Sequence, residues 1–310
     1  MKRKWILGAI LVLLLIFALS RINGESLLYS ISQIPLWLVL FMIVMQIVSQ
    51  LLVNLQWYKI AKLANTPISF RDMLYVNSQG SVMDSITPGV KIGGEITRAV
   101  QISRVTKCPS EQSAAVVFVQ KIFSISALFL IMLFAVSWFL ALPFLAILLC
   151  AFFAPGRIRK YLQAKKDPSF AWARKAKGFL CETLNQMCCI RKNTGSLIVL
   201  SMLSLSIWLL YPAKMYILAV QFYPDAHIVH ITAITFAAYA VAMLPIFPGG
   251  LGGFEGTMAG LLAAMGVAVS DAAVMTIYFR FATFWFVLLV SLVYIALYKI
   301  CKSRRLCQWQ

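Results

Sequence analysis

Acidic side chains are scarce in this chain: 10 Asp and Glu stand against 28 Lys and Arg in 310 residues, and there are only 2 His. Charged residues of both signs reach 12%, where soluble domains carry about a quarter. So little charge cannot cover a water-facing surface, which excludes an ordinary soluble fold. Nucleotide signatures are missing as well. There is no Gly-Lys-Ser or Gly-Lys-Thr, and the glycines from Gly249 to Gly256 lack G-x-G-x-x-G spacing, so Walker and dinucleotide chemistry find no support. No Ser-His-Asp, Cys-His or paired-carboxylate arrangement has a spacing suited to catalysis, and the polar connections are too short to form a soluble catalytic domain. His227 and His230, with Asp225 nearby, have the i, i+3 spacing of metal ligands but no fourth ligand. Neither a metal nor a cofactor is expected. The seven cysteines (Cys108, Cys150, Cys181, Cys188, Cys189, Cys301 and Cys307) map to cytoplasmic segments or helices, so no disulfide framework is expected.

What the chain has in abundance is apolar sequence, 61% of its residues, at a mean hydropathy of +0.85. A bilayer-crossing helix needs roughly 20 mostly apolar residues. Six stretches meet that length or approach it: Trp5 to Leu19, Leu36 to Leu55, Ala114 to Val136, Trp138 to Ala154, Ser196 to Val220, and Val274 to Tyr298. Two more, Met73 to Thr97 and Ile231 to Val269, are interrupted by Pro and Gly clusters, which predicts re-entrant hairpins or broken helices. The first run follows a basic start, as in a signal peptide, but lacks a small-x-small cleavage site.

The excess of +18 charges first has to be tested as a topology signal, because cytoplasmic loops collect Lys and Arg. With Lys2, Arg3 and Lys4 placed inside, 22 of the basic residues fall on the cytoplasmic side, ten of them between Arg157 and Lys192. Arg21 alone falls outside. Lys91, Arg98, Lys121, Lys214 and Arg280 lie within apolar segments. This count closes only if the first hairpin opens to the cytoplasm and the second to the outer side. It implies cytoplasmic termini and leaves no charge to be explained by nucleic acid. The stretch 157–192, where Phe170, Trp172, Phe179 and Leu180 interleave with Arg174, Lys175 and Lys177, reads as an amphipathic segment on an anionic lipid surface.

A self-match at an offset of 160 sets the architecture. Pro88 to Ala99 aligns with Pro248 to Ala259 with six identities in twelve, and the same offset lays flanking helices on one another. Residues 1–137 then form one membrane repeat and residues 138–310 a second of reversed topology, carrying the inserted basic segment 155–195. The expected fold is all-α and polytopic, with six spanning helices and two broken-helix hairpins. Inverted repeats with interrupted helices are a common build for secondary transporters, which place a polar site near the midplane. A duplicated scaffold without transport is the plainer alternative.

The charges at membrane depth mark the candidate site, since each costs about 2.5 to 3.5 kcal/mol on insertion scales unless it is paired or hydrated. Lys91, Glu95 and Arg98 are spaced to share one helical face, with Glu95 able to partner either cation. A helix starting at the Pro88-Gly89 turn would aim its free N–H groups at a phosphate or carboxylate, such as an anionic lipid headgroup. Alternatively, the hairpin neutralises itself. In the second copy Glu255 would take a proton, bind a cationic headgroup or pair with Arg280, which stands at the repeat position of Gln120, next to that of Lys121. Gly93, Gly94, Pro248, Gly249, Gly250, Gly252 and Gly253 complete the two broken-helix turns. Lys214, behind Pro212, is expected to snorkel to an interface.

At these residues the chain resembles the flippase-like transmembrane region of lysylphosphatidylglycerol synthases and its stand-alone relatives. The similar positions are Asn77, Pro88-Gly89, Gly94-Glu95 and Arg98-Ala99, then Pro245-x-x-Pro248-Gly249-Gly250-Leu251-Gly252-x-x-Glu255, then Tyr278-x-Arg280. The resemblance implies an eight-helix, broken-helix protein of the bacterial inner membrane that moves a phospholipid, such as aminoacylated phosphatidylglycerol, between leaflets. A membrane enzyme modifying lipids, or an accessory subunit of a separate synthase, is the alternative class. Two features depart from the family. Gln120-Lys121 and Ser124 stand where it often carries Glu-Arg and then Asp, which questions an ion pair there, and the soluble aminoacyltransferase domain is absent.

Overall fold

The computed structural model describes residues 24–87, 92–136, 139, 142–146, 155–164, 170–244 and 249–307. Among these all regular structure is helical. The helices with defined bounds are α1 Gly24–Ser32, α2 Leu36–Leu63, α3 Phe70–Ile86, α4 Ile92–Thr106, α5 Ser110–Val136, α6 Pro155–Ala164, α7 Ala171–Lys192, α8 Thr194–Phe222, α9 Ile228–Ala242, α10 Gly253–Ala264 and α11 Val269–Arg280. A π-helical turn, Phe281–Trp285, follows, and then α12 Phe286–Cys307.

Four helical stretches among the described residues are long and apolar enough to cross a membrane: Leu36–Leu63, Ser110–Ala135, Thr194–Phe222 and Val269–Cys301. They contain four of the six expected spans. The other two, Trp5 to Leu19 and Trp138 to Ala154, lie wholly or largely outside the described residues, as do Pro88, Gly89, Lys91 and Pro248. Both interrupted stretches form helix pairs. α3 and α4, with 17 and 15 residues, measure about 25 and 22 Å, less than the ~30 Å hydrocarbon layer; α10, with 12, reaches about 18 Å.

Local chemistry sets the helix ends. Asn65 at φ 52° closes α2 in the left-handed conformation that Asn tolerates, and Ser69 then caps α3 by accepting the Asp72 N–H at 3.1 Å. His227 caps α9 by accepting the Val229 N–H at 3.4 Å, so this member of the His227/His230 pair serves the helix start.

Packing divides the chain into two compact units, one from residues 24–46 and 211–286, the other from 47–87, 92–210 and 287–307. The first has a core of Leu38, Met42, Met215, Phe254, Met258 and Phe279, with Ser30 donating to Asp271 at 2.6 Å. Lys214 belongs to this core. It is 0% exposed, its ammonium donates to Gln46 Oε1, and it lies 4.7 Å from the Tyr211 ring centroid. The expected snorkelling is therefore corrected: a polar partner and an aromatic face inside the unit take the charge instead. The second unit is centred on Trp57, Ile60, Met73, Val76, Ile102 and Val119. Buried amides cross-link it: Asn77 donates to Asn54 Oδ1 at 2.9 Å, and Gln120 to Gln56 Oε1 at 3.1 Å, while Gln56 donates to Ser204. In α7, Thr183, Leu184, Gln186, Met187 and Ile190 are buried within this unit, while Leu180 and the preceding Phe170 remain exposed.

Candidate functional site

In the second unit the α3–α4 hairpin is closed by two glycines and two charges. Arg98 on α4 pairs with Asp84 on α3 at 3.1 Å, both side chains being 12% exposed. The guanidinium packs where a Cβ on Gly80 would stand, 2.5 Å from Arg98 Nε. Reciprocally, the Asp84 carboxylate occupies the place of a Cβ on Gly94, and accepts the Gly94 N–H at 3.1 Å. That bond satisfies one of the free donors in the first turn of α4. Arg98 also lies 5.6 Å from the Trp57 ring centroid. Each charge thus sits on a helix surface made accessible by the missing side chain opposite.

With Arg98 held by Asp84, Glu95 pairs across to Lys121 on α5. Among the described residues, the sequence reading is corrected at two points here: Glu95 is partnered from the next helix and not by Arg98, and Lys121 does form an ion pair despite the replacement of the family's usual residues; Lys91, the other expected partner, lies outside the described residues. The side chains of Lys121 and Glu95 are 32% and 23% exposed, so this pair is more open than that of Arg98 and Asp84.

The first unit carries a counterpart. Gly249, Gly250 and Gly252 have φ of 60°, 72° and 83°, left-handed values that other residues adopt at a cost. Gly250 also lies so close to α9 that a Cβ would approach Ala242 Cβ to 2.7 Å. This turn sets up α10, and Glu255 reaches back to accept the Gly252 N–H through Oε2 at 2.7 Å. Its other oxygen accepts from Arg280 Nε at 2.7 Å, while Arg280 Nη2 donates to the Gly249 carbonyl at 3.0 Å. Glu255 is thereby both helix cap and ion-pair partner. Of the options open in the sequence, pairing with Arg280 is the one adopted. The Arg280 side chain is 7% exposed, and its guanidinium carbon lies 4.7 Å from the Phe254 ring centroid and 4.3 Å from that of Phe284, which is carried by the π-helical turn directly after Arg280.

Glu95 and Glu255 occupy equivalent positions at the 160-residue offset, and their partners Lys121 and Arg280 differ by one position in that register. Each hairpin thus presents a carboxylate held by a cation from a following helix. Asp84, Asn54, Asn77 and Gln56 are additional polar residues that the sequence reading did not assign to a site. An inventory of carboxylates inside the interrupted apolar stretches would have found Asp84; of the amides only Asn77 carried a mark, as a position of the family resemblance, and Asn54 and Gln56 had none.

The chain is 22% identical over 280 residues to a UPF0104 membrane protein of Methanothermobacter thermautotrophicus, covering 80% of this chain and 82% of the relative. It is 24% identical over 277 residues to a UPF0104 membrane protein of Methanocaldococcus jannaschii, covering 79% and 80%. The family model described as the lysylphosphatidylglycerol synthase TM region matches residues 5–291. Multi-pass helical architecture, paired charges in interrupted helices and a match over nearly the full length agree: the chain belongs to the lysylphosphatidylglycerol synthase transmembrane-region family.

Proposed function

We propose that the protein is a membrane lipid translocator, moving a phospholipid or another lipid-linked headgroup between leaflets. The reading is supported most by one observation: each broken hairpin holds a glutamate, at equivalent positions of the internal match, in an ion pair with a cation from a following helix. Such pairs are costly at membrane depth and are retained where a polar path needs them. In this scheme Arg98, Lys121 and Arg280, with Lys91, offer donors to a headgroup phosphate, while Glu95 and Glu255 release those cations or take a cationic headgroup in their place. The two halves, 1–137 and 138–310, act as inverted copies, so exchanging which hairpin is open would give alternating access. The membrane is the cell's inner membrane with both termini cytoplasmic, and the basic stretch 157–192 rests on anionic lipid.

The test is a leaflet-resolved lipid assay in proteoliposomes, comparing the wild type with Glu255→Gln and Arg280→Ala. Exchange should fall at least about tenfold in both variants, as expected when a charge-assisted hydrogen bond is lost. Equal exchange in all three proteins would remove the proposal.

A further inference from the structure

Lys214 and Gln46 are buried polar groups that the headgroup scheme above leaves unused. Both belong to the first unit and both are 0% exposed. The Lys214 ammonium on α8 donates to Gln46 Oε1 on α2, while Gln46 Nε2 is buried without a hydrogen-bond partner. The amide therefore holds its acceptor against the lysine and keeps its donors idle. Turned about its terminal torsion, it would present Nε2 to the lone pair of an uncharged Lys214 and forfeit no other bond. Gln46 thus has a hydrogen bond to offer either protonation state, which an ionised carboxylate, accepting only, does not. Ionisable side chains kept inside membrane helices commonly mark proton and ion pathways.

Aromatic rings lead from Lys214 to the second hairpin. The ammonium lies 4.7 Å from the Tyr211 ring centroid, and Tyr211 meets Tyr239 on α9 edge to face at 5.2 Å. Tyr239 packs on Phe254 at 4.9 Å and is hydrogen-bonded with Thr283 in the π-helical turn. Phe254 carries the Arg280 guanidinium at 4.7 Å, and Arg280 is held by Glu255. The ionisable groups along these contacts are therefore Tyr211 on α8, Tyr239 on α9, Glu255 on α10 and Arg280 on α11. Asp271, at the start of α11, is taken by Ser30 of α1, and α2 contributes the neutral Gln46. A proton on Lys214 adds a second cation to the core that holds Arg280, and so favours release of Arg280 toward an anion.

We propose that Lys214, served by Gln46, is a proton-binding site whose occupancy biases the Glu255–Arg280 pair and thereby couples lipid exchange to protons. The link to exchange rests on the translocator reading, whereas the proton site stands on its own residues.

Proton binding is tested by NMR of the full-length chain in micelles, isotope-labelled at the lysine side-chain nitrogens. One signal should pass between ammonium and amine near neutral pH, where solvent-exposed lysines stay charged, and it should vanish in Lys214→Met, whose unbranched side chain fills the same place. Gln46→Glu should hold the proton and abolish that transition while keeping the signal; this variant serves if Lys214→Met does not fold, as thermal unfolding will show. Glu255→Gln leaves Arg280 uncompensated and should move the transition to lower pH, the reciprocal of the proton's effect on the pair. Coupling is tested in vesicles of phosphatidylcholine and phosphatidylglycerol carrying fluorescent phosphatidylglycerol, with the leaflets resolved by dithionite. A pH difference of one unit should gather the probe in one leaflet toward about tenfold, the limit for one proton per lipid. Lys214→Met and Gln46→Glu should exchange the probe without gathering it. Absence of a titrating Lys214 signal overturns the proposal, as do an unmoved transition in Glu255→Gln and equal gathering by Lys214→Met. A titrating signal in a protein that exchanges no lipid removes the translocator reading instead, and with it only the link to exchange.

Discussion

Gly94 and Gly80 are helix residues whose value lies in what faces them. A methyl at Gly94 would stand 2.2 Å from Asp84 Oδ1, and one at Gly80 would stand 2.5 Å from Arg98 Nε, so alanine at either site displaces a member of the buried pair. Overpacking of this kind costs about 1–3 kcal/mol, and we expect Gly94→Ala and Gly80→Ala each to lower the unfolding temperature in detergent. Gly260 is the control, with nothing within 4 Å of its added Cβ; Gly260→Ala should leave stability unchanged or raise it slightly, since alanine favours helix. Gly250→Ala combines a φ of 72° with contact against Ala242 and should cost about 2 kcal/mol or more. Arg280→Lys keeps the charge but cannot serve Glu255 and the Gly249 carbonyl through the same fork. It should lie between the wild type and Arg280→Ala in both thermal stability and lipid exchange.

The α4–α5 pair carries the prediction that concerns helices as units. Glu95→Lys and Lys121→Glu should each destabilise, because like charges then face one another, whereas the double exchange should recover most of the loss if this contact is what joins α4 to α5. Coupling would be read as a double-mutant cycle on unfolding temperature; additive effects would show that the pair contributes nothing. These helices also show how far the sequence could be read. The four described spans were legible because hydropathy acts over about 20 residues and needs no knowledge of neighbours. Both hairpin breaks were legible because Pro and Gly interrupt an apolar run. The partner of Glu95 was not, because i, i+3 and i, i+4 spacing reports only on one helix and Arg98 is claimed by Asp84 from the helix before. Lys214 misled for the same reason: nothing in its neighbourhood along the chain announces Gln46.

Topology is the property that the charge count addresses for the chain in its membrane. With native cysteines replaced, a single cysteine at Asn65 should react with a membrane-impermeant maleimide only from the cytoplasmic side, and one at Asp225 only from the outer side. Labelling of both from one side would contradict the count, and with it the opposed hairpins on which alternating access depends. The measurement is independent of any lipid substrate. It therefore separates the architecture from the activity proposed for it.

The reciprocal packing between α3 and α4 also bears on how such a chain can change over generations. Asp84 and Arg98 answer one another electrostatically, and each fits only because a glycine stands opposite, so any one of the four positions is constrained by the other three. A sequence that drifts to a larger residue at position 80 should have a shorter or uncharged side chain at 98, and loss of the carboxylate at 84 should accompany it. Substitutions within this quartet are expected to arrive in sets, leaving a correlated signature among relatives even where overall identity has fallen to the low twenties per cent, as it has for the two UPF0104 membrane proteins.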